Sequence, residues 1–208
     1  MFKNYLIILA MVFLFGISSL TFAAGKLFSD VPTDHWNYDS VMMLASEGIV
    51  QPYSDGTFRG RNNATRYEIA VVLANVLNKN GNTIKSFVQT YNDVPKTHAA
   101  YSSVAMLVAN DIVTPSGDGN FYGDRYITRY ELAMMMANVF AKGAAPTGRN
   151  MFSDLTQGHE AYDAVLVVTQ KGIMDGYADG TFRGDRNISR YEVAGLLARA
   201  LAKQQRFS

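Results

Sequence analysis

The hydrophobic and polar positions of this chain define two kinds of segment that alternate. In the first kind, apolar residues recur every three or four positions, as at Tyr38, Val41 and Leu44, which is typical of an amphipathic helix. A turn-rich stretch over residues 53–60 follows, and a second helix-period segment begins near Ile69. The pattern therefore predicts a helix, a structured loop and a second helix.

This pattern occurs three times without gaps. The copies run from Phe28 to Leu77, from Tyr91 to Phe140 and from Phe152 to Leu201. One copy has two amphipathic helices and too little surface to close a core of its own. We therefore predict an all-α protein in which three helix-loop-helix repeats share one core in a pseudo-threefold assembly.

Each second helix opens with a hydroxyl residue, an arginine, a tyrosine and a glutamate. The hydroxyl and the glutamate three positions later predict a capping box. The arginines do not fit this role, because a cation beside the positive end of a helix costs about 0.3 to 1 kcal/mol when nothing compensates it. An anionic ligand or a surface salt bridge to a neighbouring Asp or Glu would compensate it. These arginines are Arg66, Arg129 and Arg190.

The loop of each repeat contains an Asp-Gly turn followed by a phenylalanine. Its glycine is predicted to adopt a positive φ, and the phenylalanine to point back as a small plug. The glycines are Gly56, Gly119 and Gly180. An aspartate near the start of each repeat could accept hydrogen bonds from sugar hydroxyls, or could instead cap a helix or fix a turn. The aspartates are Asp30, Asp93 and Asp154.

The segment from Met1 to Ala23 has the pattern of a secretory signal. Lys3 precedes an apolar run from Leu6 to Phe15, and small residues lead to the predicted cleavage site. We predict an exported protein with no stable membrane insertion after cleavage; an uncleaved anchor is the alternative. Without this segment the chain has 18 basic and 18 acidic residues, which disfavours nucleic-acid binding.

Nothing in the sequence indicates catalysis or a bound cofactor. No nucleophile elbow, zinc-protease helix or cysteine is present, and the notable polar residues are copies of one another. The histidines lack the paired ligands that a metal requires, so a hydrogen-bonded structural role is favoured. We predict no enzyme activity, no cofactor and no metal site. The histidines are His35, His98 and His159.

Together these motifs resemble the S-layer homology repeat. The resemblance rests on Phe-x-Asp-Val, His-Trp, Gly-Ile, Asp-Gly-Thr-Phe and Thr-Arg-x-Glu, which the first repeat contains between Phe28 and Glu68. It implies a three-pronged spindle around a central three-helix bundle, with carbohydrate-binding grooves between repeats. It also implies that the protein attaches non-covalently to a cell-wall polysaccharide or to peptidoglycan.

The resemblance further implies that the motif arginines hold an acidic, often pyruvate-bearing sugar. A guanidinium beside free N–H groups at a helix start is suited to an anion. Trp36, a candidate platform for a sugar face, joins the arginines, the three aspartates and the three loop glycines as a candidate ligand-binding residue. Because Trp36 is replaced by Ala99 and Glu160 in the other repeats, we expect unequal grooves.

Two departures from the family pattern occur in every repeat. The motif contains Tyr where many Gram-positive members have Ala, and a glycine follows the loop where those members have Pro. This variant resembles repeats of diderm bacteria, whose modules bind peptidoglycan or its linked polymers. The location predicted is therefore the cell wall or cell surface, or the periplasm of a diderm. The glycines are Gly60, Gly123 and Gly184.

Two other functions fit the same sequence. The repeats could form an envelope scaffold that recruits a partner protein, or the chain could be a wall-modifying hydrolase whose site has no familiar motif.

Overall fold

The computed structural model describes residues 27–82, 91–114 and 117–204, and the regular structure of these residues is helical. Each repeat contributes two helices joined by a loop, and the described backbone has isolated bridges but no strand. The predicted all-α class is thus confirmed. The predicted signal segment, Met1 to Ala23, lies outside the described residues. The helices are α1 Tyr38–Ser46, α2 Arg66–Lys79, α3 Tyr101–Ala109, α4 Arg129–Phe140, α5 Tyr162–Gln170 and α6 Arg190–Gln204.

The second helix of each repeat begins at the predicted capping box. Thr65 Oγ1 accepts a hydrogen bond from the Glu68 N–H at 3.2 Å, and Glu68 Oε2 accepts one from the Thr65 N–H at 2.8 Å. The same reciprocal pair opens α4 and α6. Two backbone N–H groups that a helix start leaves free are thereby satisfied.

The first helix of each repeat ends at a residue with a left-handed backbone. Gly48 has a φ of +70° and Gly172 a φ of +60°, as expected for a helix C-terminal cap. Asp111 occupies this position in the second repeat and also has a φ of +60°. Aspartate tolerates this conformation better than most residues, so the helix end is the same in all three repeats.

Neighbouring repeats pack the second helix of one against the first helix of the next. α2 packs on α3, α4 on α5, and α6 on α1, so the third repeat contacts the first. Three backbone hydrogen bonds close the same ring. The Ala64 N–H donates to Ile188 O at 2.9 Å, the Ile127 N–H to Ala64 O at 2.9 Å, and the Ile188 N–H to Ile127 O at 3.3 Å. The contacts are therefore cyclic, as a pseudo-threefold assembly requires.

One continuous hydrophobic core runs through all three repeats. The three loop phenylalanines are among its largest fully buried side chains, which confirms the predicted plugs. Shared burial is the main source of stability for repeats that cannot close a core alone. The spindle outline and the central three-helix bundle stay predictions. Among the described helices, none is long and apolar enough to cross a bilayer.

Candidate functional site

Each motif arginine extends from its own repeat to the loop of the next. Arg66 Nε donates to Phe121 O at 2.9 Å, and Arg129 Nε donates to Phe182 O at 2.9 Å. Arg190 of the third repeat donates in the same way to the first, with its Nε 2.8 Å from the carbonyl oxygen of Phe58. These carbonyl groups help to compensate the cation at the helix start, and each arginine thereby links two repeats.

The second contact of each arginine differs among the repeats. Arg66 Nη1 pairs with Glu131 Oε1 at 2.8 Å, and Arg190 Nη1 pairs with Glu68 Oε1 at 2.8 Å. Arg129 Nη2 instead donates to Asp175 O at 2.9 Å. Arg129 is only 5 % exposed, and burial lowers its pKa. It is therefore a desolvated cation that donates hydrogen bonds to two backbone carbonyl oxygens.

The capping glutamates also have different neighbours. Glu68 accepts a hydrogen bond from the Tyr53 hydroxyl, whereas Glu131 and Glu192 are paired with Arg125 and Arg186 of their own repeats. The first repeat has Asn62 at the position of these two arginines. The second and third repeats thus bring one more cation to the capping box than the first.

The three repeat-opening aspartates hold the loop. The carboxylate of Asp30 accepts from the Phe58 N–H at 2.6 Å and from the Arg59 N–H at 2.7 Å. The other two aspartates make the same pair of bonds. The second N–H of each pair belongs to a residue with a positive φ, such as Arg59 at +55°. This is the turn-fixing role considered above, and contact of these carboxylates with a ligand stays a prediction.

The loop glycines lie at the turn itself. Gly56, Gly119 and Gly180 have φ values of +75°, +74° and +79°, as predicted from the Asp-Gly pairs. Their carbonyl groups accept hydrogen bonds from backbone N–H groups at the start of the same repeat. The geometry gives them a structural role, and a ligand-binding role stays a prediction.

The motif tyrosine of each repeat packs on the glycine that follows the loop of a neighbouring repeat. The Tyr67 ring covers Gly123 so closely that a Cβ there would overlap the ring, and its hydroxyl donates to Asp93 O at 3.3 Å. The pair Tyr130 and Gly184 repeats this contact, as do Tyr191 and Gly60. The tyrosine and the glycine of each pair are distant in the sequence. Because both residues occur in every repeat, the sequence contained a signal that the tyrosine and the glycine contact each other.

The motif histidines support these tyrosines. The His35 ring stacks on the Tyr191 ring at a centroid distance of 4.0 Å, and His35 Nδ1 accepts a hydrogen bond from the Asn37 N–H at 3.2 Å. The other two histidines make equivalent contacts. The predicted hydrogen-bonded structural role is confirmed. Among the described residues no group of three His, Asp or Glu side chains could hold a metal ion.

A groove lies over the loop and second helix of the first repeat, and we call it groove one. We call the equivalent positions over the second and third repeats groove two and groove three. Groove one has a volume of about 390 Å³. Its lining includes Tyr53 and Glu68 of the first repeat, His98 and Ala99 of the second, and Arg190 of the third. Groove one thus combines residues from all three repeats.

Ala99, which lines groove one, is equivalent to Glu160 and Trp36 in the other repeats. By this equivalence Glu160 belongs to groove two and Trp36 to groove three. Trp36 is 73 % exposed and lies beside His35, with 5.5 Å between the ring centroids. Its indole ring therefore offers a free aromatic face. That the three grooves differ in ligand binding stays a prediction.

Groove three also concentrates arginines around one tyrosine. The Tyr177 ring centroid lies 4.0 Å from Cζ of Arg183, 5.1 Å from Cζ of Arg129 and 5.9 Å from Cζ of Arg186. The Nε of Arg186 is buried without a hydrogen-bond partner among the described residues. Arg199 adds a further cation nearby, paired with Asp175. Arg183 and Arg186 are paired with Asp179 and Glu192, so Arg129, which donates to carbonyl oxygens, is the cation that groove three has in excess.

The sequence matches the S-layer homology domain over residues 27–70, 90–133 and 152–194. The chain belongs to the S-layer homology domain family. All three motif arginines and the paired Tyr and Gly residues fall within these matched segments.

Several curated proteins are similar to this S-layer homology chain. A cellulosome-anchoring protein of Acetivibrio thermocellus is 31 % identical over 159 residues, which is 74 % of this chain and 36 % of the relative. Cell surface glycoprotein 1 of the same organism is 30 % identical over 73 % of this chain and 7 % of the relative. Outer membrane protein SlpA of Deinococcus radiodurans is 29 % identical over 78 % of this chain and 15 % of the relative. The matched part is thus a minor share of each relative.

Proposed function

We propose that this protein is a non-covalent cell-envelope binding module that recognises an anionic wall glycan, with groove three as its main site. The observation that carries the proposal is the cluster of Arg129, Arg186 and Tyr177 in the groove to which the exposed Trp36 belongs. Guanidinium groups bind carboxylates through charge-assisted hydrogen bonds, and an aromatic face packs on the apolar side of a sugar ring. Together they suit a carboxylate-bearing sugar.

Charge balance favours groove three over the other two. Groove one sets Arg190 against Glu68, and its lining is otherwise largely apolar. In the second repeat Glu131 already pairs with two arginines, and the surface cavity of about 310 Å³ nearby includes Glu160 and Asp163. Neither arrangement leaves an excess of positive charge. An anion is therefore attracted most strongly to groove three.

The ligand class and location follow the relatives and the fold. One relative is named as an anchoring protein, one as a cell surface glycoprotein and one as an outer membrane protein. We infer an exported protein bound to a wall polysaccharide or to peptidoglycan, at the cell surface or in the periplasm. We infer a binding role, which is supported by the name of the relative that is an anchoring protein.

Sedimentation with purified wall sacculi tests this function. The Trp36→Ala variant should bind sacculi about fivefold more weakly, since loss of an aromatic contact is worth about 1 kcal/mol. Trp36 is exposed, so the helical circular dichroism should not change. The control is Tyr126→Ala, which removes another exposed aromatic side chain, 50 % accessible, from outside the groove.

A second variant, Arg186→Gln, removes one groove cation while keeping a side chain of similar length. We expect it to weaken sedimentation with sacculi, and to do so further in combination with Trp36→Ala. Sedimentation of the double variant at the wild-type level would refute groove three as the binding site. Release of soluble sugar or peptide from the sacculi would contradict a purely binding role.

A further inference from the structure

A lysine lies at the same position in each repeat, in the last turn of α2 and α6 and two residues beyond the end of α4. In the first repeat, Lys79 forms a salt bridge with Glu47. In the second, Lys142 Nζ lies 3.0 Å from Asp111 Oδ2 and 3.0 Å from Asn110 O. A carboxylate next to the end of the first helix thus neutralises the lysine in both repeats.

In the third repeat, the position of the Glu47 carboxylate is occupied by a positively charged residue. Lys171 stands at the position of Glu47, and Gly172 at the position of Asp111. Among the described residues, neither Lys171 nor Lys203 forms a salt bridge. A Cβ added at Gly172 would lie 3.0 Å from Lys203 Nζ, so the ammonium group rests against this glycine. Two cations therefore occupy a place where the other repeats have an ion pair.

Both lysines line one open surface cavity of about 610 Å³. The amides of Gln170 and Gln204 line the same cavity, and none of the described residues that line it has a carboxylate side chain. The cavity lies at the carboxyl ends of α5 and α6, whereas the motif arginines lie at the starts of the second helices. It is therefore separate from the three grooves and has the charge and donors of an anion site.

We propose that this lysine pair binds a phosphate group of a phosphodiester-linked envelope polymer. Lysine binds phosphate as a point charge with rotatable donors, whereas the planar arginines of the grooves suit a carboxylate. Phe140 and Ile173 line the same cavity and supply an apolar surface for the carbon units between phosphates. The proposal is independent of groove three, because no charged residue belongs to both sites.

Calorimetric titration of the full chain tests this site at constant ionic strength, with inorganic phosphate and with poly(glycerol phosphate) as probes. Lys171→Glu restores the ion pair of the first repeat and should weaken binding of both probes about tenfold, because it removes one cation and neutralises the other. Its melting temperature should not fall. The matched control, Lys142→Ala, removes a lysine that already has a carboxylate and should leave binding unchanged.

The reciprocal variant, Glu47→Lys, creates a second lysine pair with Lys79 and should raise the number of bound phosphates from one to two. Unchanged phosphate binding in Lys171→Glu, or no binding by the wild type, would overturn the site. Binding of inorganic phosphate but not of the polymer would overturn the polymer as ligand. None of these outcomes alters the expected effect of Trp36→Ala on sacculus sedimentation, so the two proposals fail separately.

Discussion

The ring of Tyr67 occupies the space over Gly123 in which any other residue would place its Cβ. Gly123 has no positive φ, so its requirement is for space and not for backbone freedom. We expect Gly123→Ala to lower the free energy of unfolding by about 1 to 3 kcal/mol through overpacking. Urea denaturation measures this change.

A double-mutant cycle identifies the clash as the cause. Tyr67→Ala removes the ring, so adding Gly123→Ala to it should have less effect than Gly123→Ala alone. Gly117→Ala is the control, because nothing lies within 4 Å of a Cβ built there. Additive effects of the two substitutions would contradict the direct contact between ring and glycine.

Asp154 should contribute to stability through both of its carboxylate oxygens. It accepts from the Phe182 N–H at 2.8 Å and from the Arg183 N–H at 2.7 Å, and Arg183 has a φ of +53°. Asp154→Asn leaves one of these buried or strained N–H groups without an acceptor and should cost about 1 to 3 kcal/mol in unfolding free energy. Asp185→Asn, at an exposed position of the same loop, should change it by less than about 0.5 kcal/mol. Equal effects would show that the carboxylate does not hold the loop.

Stability should fall in acid because of the capping glutamates. Burial alone would raise the pKa of Glu131, but hydrogen bonds from Arg125 and the Thr128 N–H, with the charge of Arg66, bring it below the ordinary 4.5. Arg186 and Ser189 lower the pKa of Glu192 in the same way against its burial.

A carboxyl with a lower pKa in the folded state contributes stability that is complete above its unfolded pKa and is lost as the pH falls through its folded pKa. The unfolding free energy should therefore decrease as the pH falls from about 5 to about 3. Glu131→Gln should flatten this dependence, whereas exposed Glu160→Gln should retain it. Identical pH profiles for wild type and Glu131→Gln would contradict the prediction.

Binding to sacculi should depend on salt. Arg186 is partly exposed, so its attraction for an anionic sugar is screened as the ionic strength rises from about 0.05 to about 0.5 M. The amount of protein that sediments should decrease over this range. In Arg186→Gln the decrease should be smaller, and an equal salt dependence in both proteins would place the anion elsewhere.

Features set by neighbours in sequence could be predicted from the sequence. The capping boxes, the Asp-Gly turns and the plug phenylalanines each depend on residues within a few positions. Threefold repetition added the shared core, because no single repeat could bury its apolar faces. The unmatched Trp36 also indicated unequal grooves.

Contacts between repeats could not be predicted in this way. Arg66 donates a hydrogen bond to Phe121 O. This contact depends on which repeats are neighbours and on the angle between them, and neither can be predicted from the sequence of one repeat. The buried Asn37, which donates to the carbonyl of Tyr191, is another example. Its amide is accommodated beside Gly195, where the other repeats have Val71 and Met134. A single unmatched asparagine did not reveal that partner.

The backbone ring of Ala64, Ile127 and Ile188 means that this array has no terminal repeat. Linear repeat proteins need capping units at both ends, because the outermost units have one uncovered face. Here each repeat donates one of these hydrogen bonds and accepts another, so every repeat is an interior one. Three repeats are therefore enough to cover all of the apolar faces between repeats. A chain with two repeats would expose two complementary apolar faces to other molecules.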